Sequence, residues 1–558
     1  MKVELKNDHV SILISGIEQI KLKAKLAPIL GSNIRLSKQE IQFPKFCLPL
    51  VAELLGLDQT STDITAELEK FKNHEIARRF AKHLLDGSKV VAIPTHWTQI
   101  LEPAQAVAVS CMTQEGLLGL CLFDEQGSGK TVMTIASFDL LRIAKLVDAM
   151  IVICPKSMVS EWPKDLSRFL GSELKIEIAS GSQSSKFNSA TQDFDVLISN
   201  YEGVEPMLVP LAGVAKKKRF LLVVDESYYA KNEDSHRSEV IGKLREVCVK
   251  CYVLCGTPAP NSAHDLINQF NLADLGYTFG GFKKSKDPAK DWDQISALVE
   301  NKGMYIRRLK PEILDFVPEK NFHVLTVPLS GKQALMYETA RHELELELRG
   351  LNNEVFKKKV ATYLQKRAAL LQICCSPSSI DPTLTEIPAK FSTLDSLLAM
   401  LTAKGRKVIV WSFFKKSIDE VVQRYAKYNP VRVDGSVSTE DRRLAVTRFQ
   451  TDPNVLLFVG NPAAAGAGIT LHASHDAVYI SYSNQAAHYL QSLDRIHRRG
   501  QISEEVNYYL LVCEGTIEES EVKRLRGKEI KQHDLLGDTV KWPTSLDDAL
   551  SELSNSNV

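Results

Sequence analysis

Leu122-Phe123-Asp124-Glu125-Gln126-Gly127-Ser128-Gly129-Lys130-Thr131 is the stretch on which the reading of this 558-residue chain turns. Gly127 and Gly129 lack a Cβ, so the backbone can curl tightly and aim its amide hydrogens at an anion. Lys130 brings a positive charge for outer phosphates, and Thr131 offers a hydroxyl to a magnesium ion. The mostly apolar segment 132–141 predicts a helix whose N-terminus faces those phosphates. These residues together read as a phosphate-binding loop. Asp124 stands where the strict signature has its first glycine, so the loop by itself does not decide the matter.

The surroundings of the loop set the fold class. Apolar runs at 149–154, 196–199, 220–224 and 252–255 end at or beside Pro155, Asn200, Asp225 and Gly256. Each run is continuous rather than alternating, as a parallel strand buried on both faces requires. Polar and glycine residues gather just after the runs, where open α/β sheets place ligands. A second series follows at 407–411, 431–433, 455–459 and 477–480, and Asp434-Gly435-Ser436 closes its second run. The chain is therefore read as an α/β protein with two parallel-sheet lobes. Residues 335–373, rich in Leu, Glu, Lys and Ala, predict a helical junction between them. Helical patterns at 46–57 and 66–85 predict a small, mainly helical N-terminal region. The expected division is an N-terminal region at 1–94, a first lobe at 95–311, and a helical junction packed with the second lobe at 312–385. The second lobe follows at 386–545, with a polar tail at 546–558.

Composition narrows the class of partner. The formal net charge is +1, so no global field draws the chain to nucleic acid or membrane, and any polyanion must meet a local patch. No apolar run reaches the length of a membrane span. Segment 10–17 is apolar but too short for a signal peptide, and Asn7, Asp8 and His9 precede it. The ten cysteines are mostly scattered, as in a reducing compartment. A cytoplasmic or nuclear protein is expected, neither secreted nor membrane-bound. Cys248, Cys251 and Cys255 have ligand-like spacing but no fourth ligand nearby. They read as small apolar residues at a helix end and on a buried strand.

Two further pairs carry chemistry. Asp225-Glu226 ends a buried run downstream of the phosphate loop. There Asp225 would join Thr131 in holding magnesium, and Glu226 would orient and polarise an attacking water. Arg495 and Arg498 are three residues apart, which places both on one face of a predicted helix. They suit arginine fingers for charge on a γ-phosphate, and equally a basic helix facing solvent or nucleic-acid phosphates.

In their order along the chain, these blocks resemble the Swi/Snf-type ATPases of helicase superfamily two, from about residue 101 to 510. The likeness rests on Leu101-Glu102-Pro103-Ala104-Gln105, the loop 124–131, Ile153-Cys154-Pro155-Lys156-Ser157 with Glu161-Trp162, and Ser199-Asn200-Tyr201-Glu202. It continues through Asp225-Glu226-Ser227-Tyr228, Gly256-Thr257-Pro258-Ala259-Pro260-Asn261 and Ile306-Arg307-Arg308-Leu309-Lys310. The second lobe adds Val410-Trp411-Ser412-Phe413-Phe414, Ala465-Gly466-Ala467-Gly468-Ile469-Thr470-Leu471 and Asp494-Arg495 to Gln501.

The resemblance implies two RecA-like lobes that hydrolyse ATP with Mg2+ and move on DNA, usually duplex, without separating its strands. It implies that Gln105 reads adenine and that Asp124, Glu125, Gln126, Gly127, Ser128, Gly129, Lys130, Thr131 and Gly468 surround ATP. Tyr228, Gly256, Thr257, Gln491 and Asp494 would couple hydrolysis to movement, and Arg495 and Arg498 would be the fingers. Tyr228 replaces the family's usual histidine, so that coupling is expected to differ. Lys156, Ser157, Ser199, Asn200, Asn461 and Gly466 would touch DNA through phosphates, without regard to sequence. Tyr201 belongs to the same contact segment. Lys216-Lys217-Lys218-Arg219 reads as a solvated turn, and Lys283-Lys284-Ser285-Lys286 as a loop that could meet DNA. Two alternatives stand beside the duplex translocase: a helicase driven by single strands or RNA, and a nucleotide-gated scaffold that binds a protein partner through residues 1–94.

Overall fold

The computed structural model describes residues 2–6, 9–30, 34–56, 62–91, 93–259, 262–280, 282–314, 316–464, 469–482, 486–498, 500–531 and 546–554. The chain forms two compact units, Met1–Ile313 and Leu314–Val558.

The first unit begins with strands β1 (Lys2–Leu5), β2 (His9–Leu13), β3 (Arg35–Leu36) and β4 (Glu40–Pro44). They pair antiparallel in the order β1-β2-β4-β3. Val10, Ile12, Ile41 and Phe43 from the sheet join Leu26 and Val51 from the helices Gly16–Leu30 and Leu48–Leu55 in a small core. Of these helices, Leu48–Leu55 falls within the helical pattern read at 46–57, and Gly16–Leu30 was not read. The sheet was not read either, because strands of two to five residues are too short to show a period. The long helix Thr62–Asp86 then runs onto the helix Pro103–Met112, where the Cys111 thiol donates to the Ala81 carbonyl at 3.2 Å. His74 Nδ1 accepts from the Leu118 amide at 3.1 Å. Burial pushes its pKa down to about 3, which suits a neutral acceptor. These contacts build the N-terminal region into the first unit.

The main sheet of this unit has seven parallel strands: β5 (Gly119–Leu122), β6 (Ala149–Cys154), β7 (Ile176–Ala179), β8 (Val196–Asn200), β9 (Phe220–Asp225), β10 (Lys250–Leu254) and β11 (Tyr305–Ile306). Their order is β11-β5-β10-β9-β6-β8-β7. Strand β10 lies between β5 and β9, and Leu254 pairs with both Leu122 and Asp225. The loop after β5, the Gly256 turn and the acidic pair thus leave the sheet at one level, though about a hundred residues separate the first from the last. Cys251 sits in β10, with Cys248 just before the strand and Cys255 just after it. All three are buried.

The second unit has six parallel strands: β12 (Glu319–Val327), β13 (Val408–Trp411), β14 (Val431–Val433), β15 (Leu457–Gly460), β16 (Asp476–Tyr479) and β17 (Glu505–Cys513). Their order is β12-β17-β16-β13-β15-β14. Val408 and Val410 face a core with Phe391, Leu394 and Leu398, while Ile409 and Trp411 face Phe449, Leu490 and Tyr508. Both faces of β13 are therefore dry, which explains its continuous apolar run.

The segment read as a helical junction also supplies β12, which pairs with β17 over nine residues. Its helices Gly331–Arg349 and Asn353–Cys375 share a core of Tyr337, Leu344, Phe356, Tyr363 and Leu370. Residues 546–558, read as a polar tail, contain the helix Leu546–Ser554. Leu546, Ala549 and Leu553 recur at helical spacing and enter that core. Glu552 on the same helix accepts from buried Arg367 at 2.6 Å. The polar composition of the segment concealed a three-residue apolar stripe.

Candidate nucleotide site

The loop after β5 takes its shape from its glycines. Gly127 and Gly129 have φ of +82° and +87°, and a Cβ on Gly129 would collide with the Gln105 amide. Lys130 opens the helix Lys130–Ile143, and its ammonium donates to the carbonyls of Asp124 at 2.7 Å and Glu125 at 3.1 Å. Gln105 is fully buried. Its Nε2 donates to the Ser128 carbonyl at 2.7 Å, and its Oε1 accepts from the Glu102 amide at 3.0 Å. The side chain expected to read adenine is here a brace between the phosphate loop and the helix Pro103–Met112.

Asp124 and Glu125 also differ from expectation. The Asp124 carboxylate accepts from the Arg308 amide at 2.9 Å and from the Arg308 guanidinium through Nε at 3.1 Å. Glu125 accepts from the Lys310 amide at 2.9 Å, and the Lys310 ammonium lies 3.7 Å from it. A carboxylate aimed at phosphate would repel it. Both side chains instead turn toward residues just past β11, so the loop presents backbone to the anion and sends its acids elsewhere. Arg307 adds a third tie, donating to the carbonyls of Phe123 and, at 3.1 Å, Gly256.

The acidic pair closes β9. Asp225 Oδ2 accepts from the Trp162 indole at 3.0 Å, and Oδ1 from the Glu226 amide at 2.9 Å. Burial raises the Asp225 pKa, while the Trp162 hydrogen bond and the Lys130 charge oppose the rise. Glu226 adopts the left-handed conformation, φ +52°, which costs a non-glycine residue about 1 kcal/mol or more. The buried Tyr201 hydroxyl donates to the carbonyls of Asp225 at 2.7 Å and Glu226 at 3.2 Å, gripping the strained corner. Gln126 from the phosphate loop donates to Glu226 Oε1 at 3.3 Å, so loop and acidic pair are in direct contact. A Cβ on Gly256 would strike Gln126, which makes glycine obligatory at that turn. Thr257 Oγ1 is buried without a hydrogen-bond partner among the described residues. The Tyr228 and Tyr229 rings lie with centroids 4.4 Å apart, tilted by 31° to one another.

The donor set suits magnesium. Asp225 and Thr131 offer hard oxygens. The softer thiols nearby are withdrawn from competition. Burial raises the pKa of Cys154, which lies near Asp225, and pushes Cys255, near Glu226 and Lys130, up to about 12.

In the second unit, Arg495 and Arg498 both donate to the Ile469 carbonyl at 3.2 Å. They are together, but not on a helix. The helix Ala486–Leu493 ends before them: the Arg495 amide donates to the Ser492 carbonyl at 3.3 Å, a tighter turn, and the Arg495 carbonyl accepts from the Leu471 amide at 3.0 Å. Gln491 and Asp494 are buried beside them in sequence. Gly466 and Gly468 lie outside the described residues, as does Asn261.

The residues assigned to DNA fare unevenly. Lys156 is exposed and Ser157 half-buried in the turn after β6. Ser199 is fully buried at the end of β8, with its hydroxyl donating to the Asn200 carbonyl at 3.2 Å, so it does not face solvent. Tyr201 is likewise turned inward. Asn200 is half-buried, and its amide donates to Glu202 at 2.9 Å. Asn461 donates to the Phe413 carbonyl at 3.0 Å and accepts from the Ala463 amide at 2.8 Å, bracing its own loop. Lys218 and Arg219 pair with Asp193 and Asp148, and Lys284 with Glu233. Trp162, Arg308 and Lys310 stood in recognised sequence blocks without an assigned role. Cations directly after a buried strand were the available signal for Arg308 and Lys310.

A glycine-turned loop before a helix, next to a buried acidic pair on a parallel sheet, defines a phosphate-loop nucleotide-binding protein. The SNF2-related domain matches residues 104–379, and the helicase conserved C-terminal domain matches residues 389–500. The chain belongs to the Swi/Snf-type family of helicase-like ATPases in superfamily two. It is 29% identical over 439 residues to the ISWI chromatin-remodeling complex ATPase ISW1 of Saccharomyces cerevisiae, covering 73% of this chain and 38% of that protein. It is 26% identical over 582 residues to a Drosophila melanogaster homologue of the SWI/SNF-related, matrix-associated, actin-dependent regulator of chromatin subfamily A containing DEAD/H box 1. That match covers 88% of this chain and 66% of the relative. The chain thus spans between roughly two fifths and two thirds of the length of these curated relatives. Among solved structures it is similar to the Sulfolobus solfataricus SWI2/SNF2 ATPase core in complex with dsDNA. Identity there is 21% and the TM-score 0.36, covering 81% of this chain and 96% of that one. Among the described residues no helix is long and apolar enough to cross a membrane.

Proposed function

We propose that this chain is a DNA-stimulated ATPase that converts ATP hydrolysis into movement along duplex DNA, in the nucleus or cytoplasm. The observation that carries the reading is the shared level of Leu122, Leu254 and Asp225, with the Gln126–Glu226 hydrogen bond joining phosphate loop to acidic pair. In this reading the backbone amides of 127–130 take phosphate oxygens, and Lys130 leaves the loop carbonyls for the outer phosphates. Thr131 and Asp225 would hold Mg2+, which when bound neutralises phosphate charge. Glu226 accepts a hydrogen bond from the attacking water and polarises it. Arg495 and Arg498 are assigned to the charge that develops on the γ-phosphoryl group, a contribution of about a thousandfold or more in rate. That assignment follows the family pattern.

The DNA part of the proposal is supported by relatives named for chromatin remodelling. Exposed Lys156 and half-buried Ser157 and Asn200 remain the contacts on the first unit, made to phosphates and therefore salt-dependent. ATP turnover by the purified chain, measured with no polymer, duplex DNA, single-stranded DNA and RNA, tests it. Duplex DNA is expected to give the largest rise. A larger rise with single strands or RNA replaces this reading with an unwinding helicase. ATP binding without turnover under every condition replaces it with a nucleotide-gated scaffold.

A further inference from the structure

We propose that Trp162 and Tyr201 are positioning residues that tie the two segments assigned to nucleic-acid contact to the Asp225–Glu226 pair. The inference deepens the function proposed above and rests on it. Lys156 and Ser157 lie in the turn after β6, and Asn200 ends β8. These strands are neighbours, with Cys154 paired to Asn200, and β6 also borders β9. The turn after β6 is stiffened by the Met158 amide on the Pro155 carbonyl at 2.8 Å and the Trp162 amide on the Met158 carbonyl at 3.1 Å. It delivers the fully buried Trp162 indole to Asp225 Oδ2 at 3.0 Å. Tyr201 follows Asn200 directly, and its hydroxyl spans the carbonyls of Asp225 and Glu226.

A buried tryptophan or tyrosine normally finds some partner for its polar atom, and a backbone carbonyl within its own layer would serve. Here both donors cross to β9. One ends on the side chain assigned to the metal, the other on the peptide whose left-handed turn aims Glu226. A displacement of the Lys156 turn or of Asn200 by a bound phosphate backbone therefore moves a group that touches the acidic pair. Neither donor carries charge, so each can orient the carboxylates without neutralising them.

Trp162→Phe and Tyr201→Phe, each in the full chain, test the inference, with thermal unfolding as the control for folding. Trp162→Phe is expected to raise the Mg2+ concentration for half-maximal binding of a fluorescent ATP analogue about tenfold. Tyr201→Phe removes one hydroxyl and is expected to lower the maximal DNA stimulation about tenfold, with the DNA concentration for half-stimulation changed less than about twofold. Wild-type Mg2+ dependence in a folded Trp162→Phe overturns the proposal. Wild-type stimulation in Tyr201→Phe also overturns it, and decides alone if Trp162→Phe does not fold. A wild-type chain that no nucleic acid stimulates refutes the proposed function instead. The Mg2+ titration of analogue binding still reports on Trp162 in that case.

Discussion

The dipeptide Asp-Glu stands at the ends of two strands in one sheet, β5 and β9, and the structure treats the two copies in opposite ways. Asp124 and Glu125 are matched to cations, Arg308 and Lys310, and their charge is spent on holding the phosphate loop against the chain after β11. Asp225 and Glu226 are held by neutral donors, Trp162, Gln126 and a backbone amide, with Lys130 near enough to act through its charge. A carboxylate paired with a guanidinium is a structural tie. One oriented by neutral donors keeps negative charge to offer a metal ion or a water. Sequence identity at the dipeptide level therefore says little about role; the charge of the partners decides it.

The comparison breaks most visibly under isosteric neutralisation. Asp225→Asn is expected to lower Mg2+-dependent ATP turnover by about a hundredfold or more while leaving the fold at least as stable. The sign follows from burial, which raises the folded-state pKa of Asp225. Its contribution to stability is fully present below the unfolded-state pKa and is lost as pH rises through the folded value, so the ionised form burdens the fold at neutral pH. Asp124→Asn is expected to act oppositely. It leaves Arg308 largely buried without its carboxylate and costs about 3 kcal/mol in urea unfolding. If Asp225→Asn instead destabilises and Asp124→Asn leaves unfolding unchanged, the two pairs have been assigned the wrong way round.

Removing Mg2+ with a chelator sharpens the contrast at one end only. Turnover should fall to background, and the unfolding midpoint of the nucleotide-free chain should not move. Gln126→Ala is the gentlest probe. It deletes one hydrogen bond of 3.3 Å to Glu226, worth about 1 kcal/mol. Turnover is expected to drop by less than about tenfold. A drop as large as that of Asp225→Asn would mean that Gln126 acts on the reaction itself.

The parallel sheets were legible because strands such as β9 and β13 are buried on both faces and show as unbroken apolar runs. The turn of Gly127–Gly129 was legible because only glycine adopts that backbone without strain. The N-terminal sheet escaped notice because its strands are too short for periodicity, and β12 because its exposed and half-buried residues break any apolar run. Ser199 was misread because a place near the end of a strand does not reveal burial; β8 is covered on both faces as far as Ser199. The bracing of Gln105 and the pairing of Asp124 with Arg308 depend on contacts across 23 and 184 residues, which local pattern does not carry. The predicted helix at Arg495 and Arg498 is not formed: the Arg495 amide turns back to the Ser492 carbonyl, and the Arg495 carbonyl is taken by the Leu471 amide, a contact that local pattern does not carry.

The central claim is that Asp225–Glu226, and not the other acidic pair, carries out hydrolysis. Single-turnover cleavage of bound ATP by Glu226→Gln, with saturating Mg2+ and duplex DNA, tests it most directly. The account predicts that the variant binds ATP and cleaves it more slowly by about a thousandfold. Cleavage at the wild-type rate would contradict it.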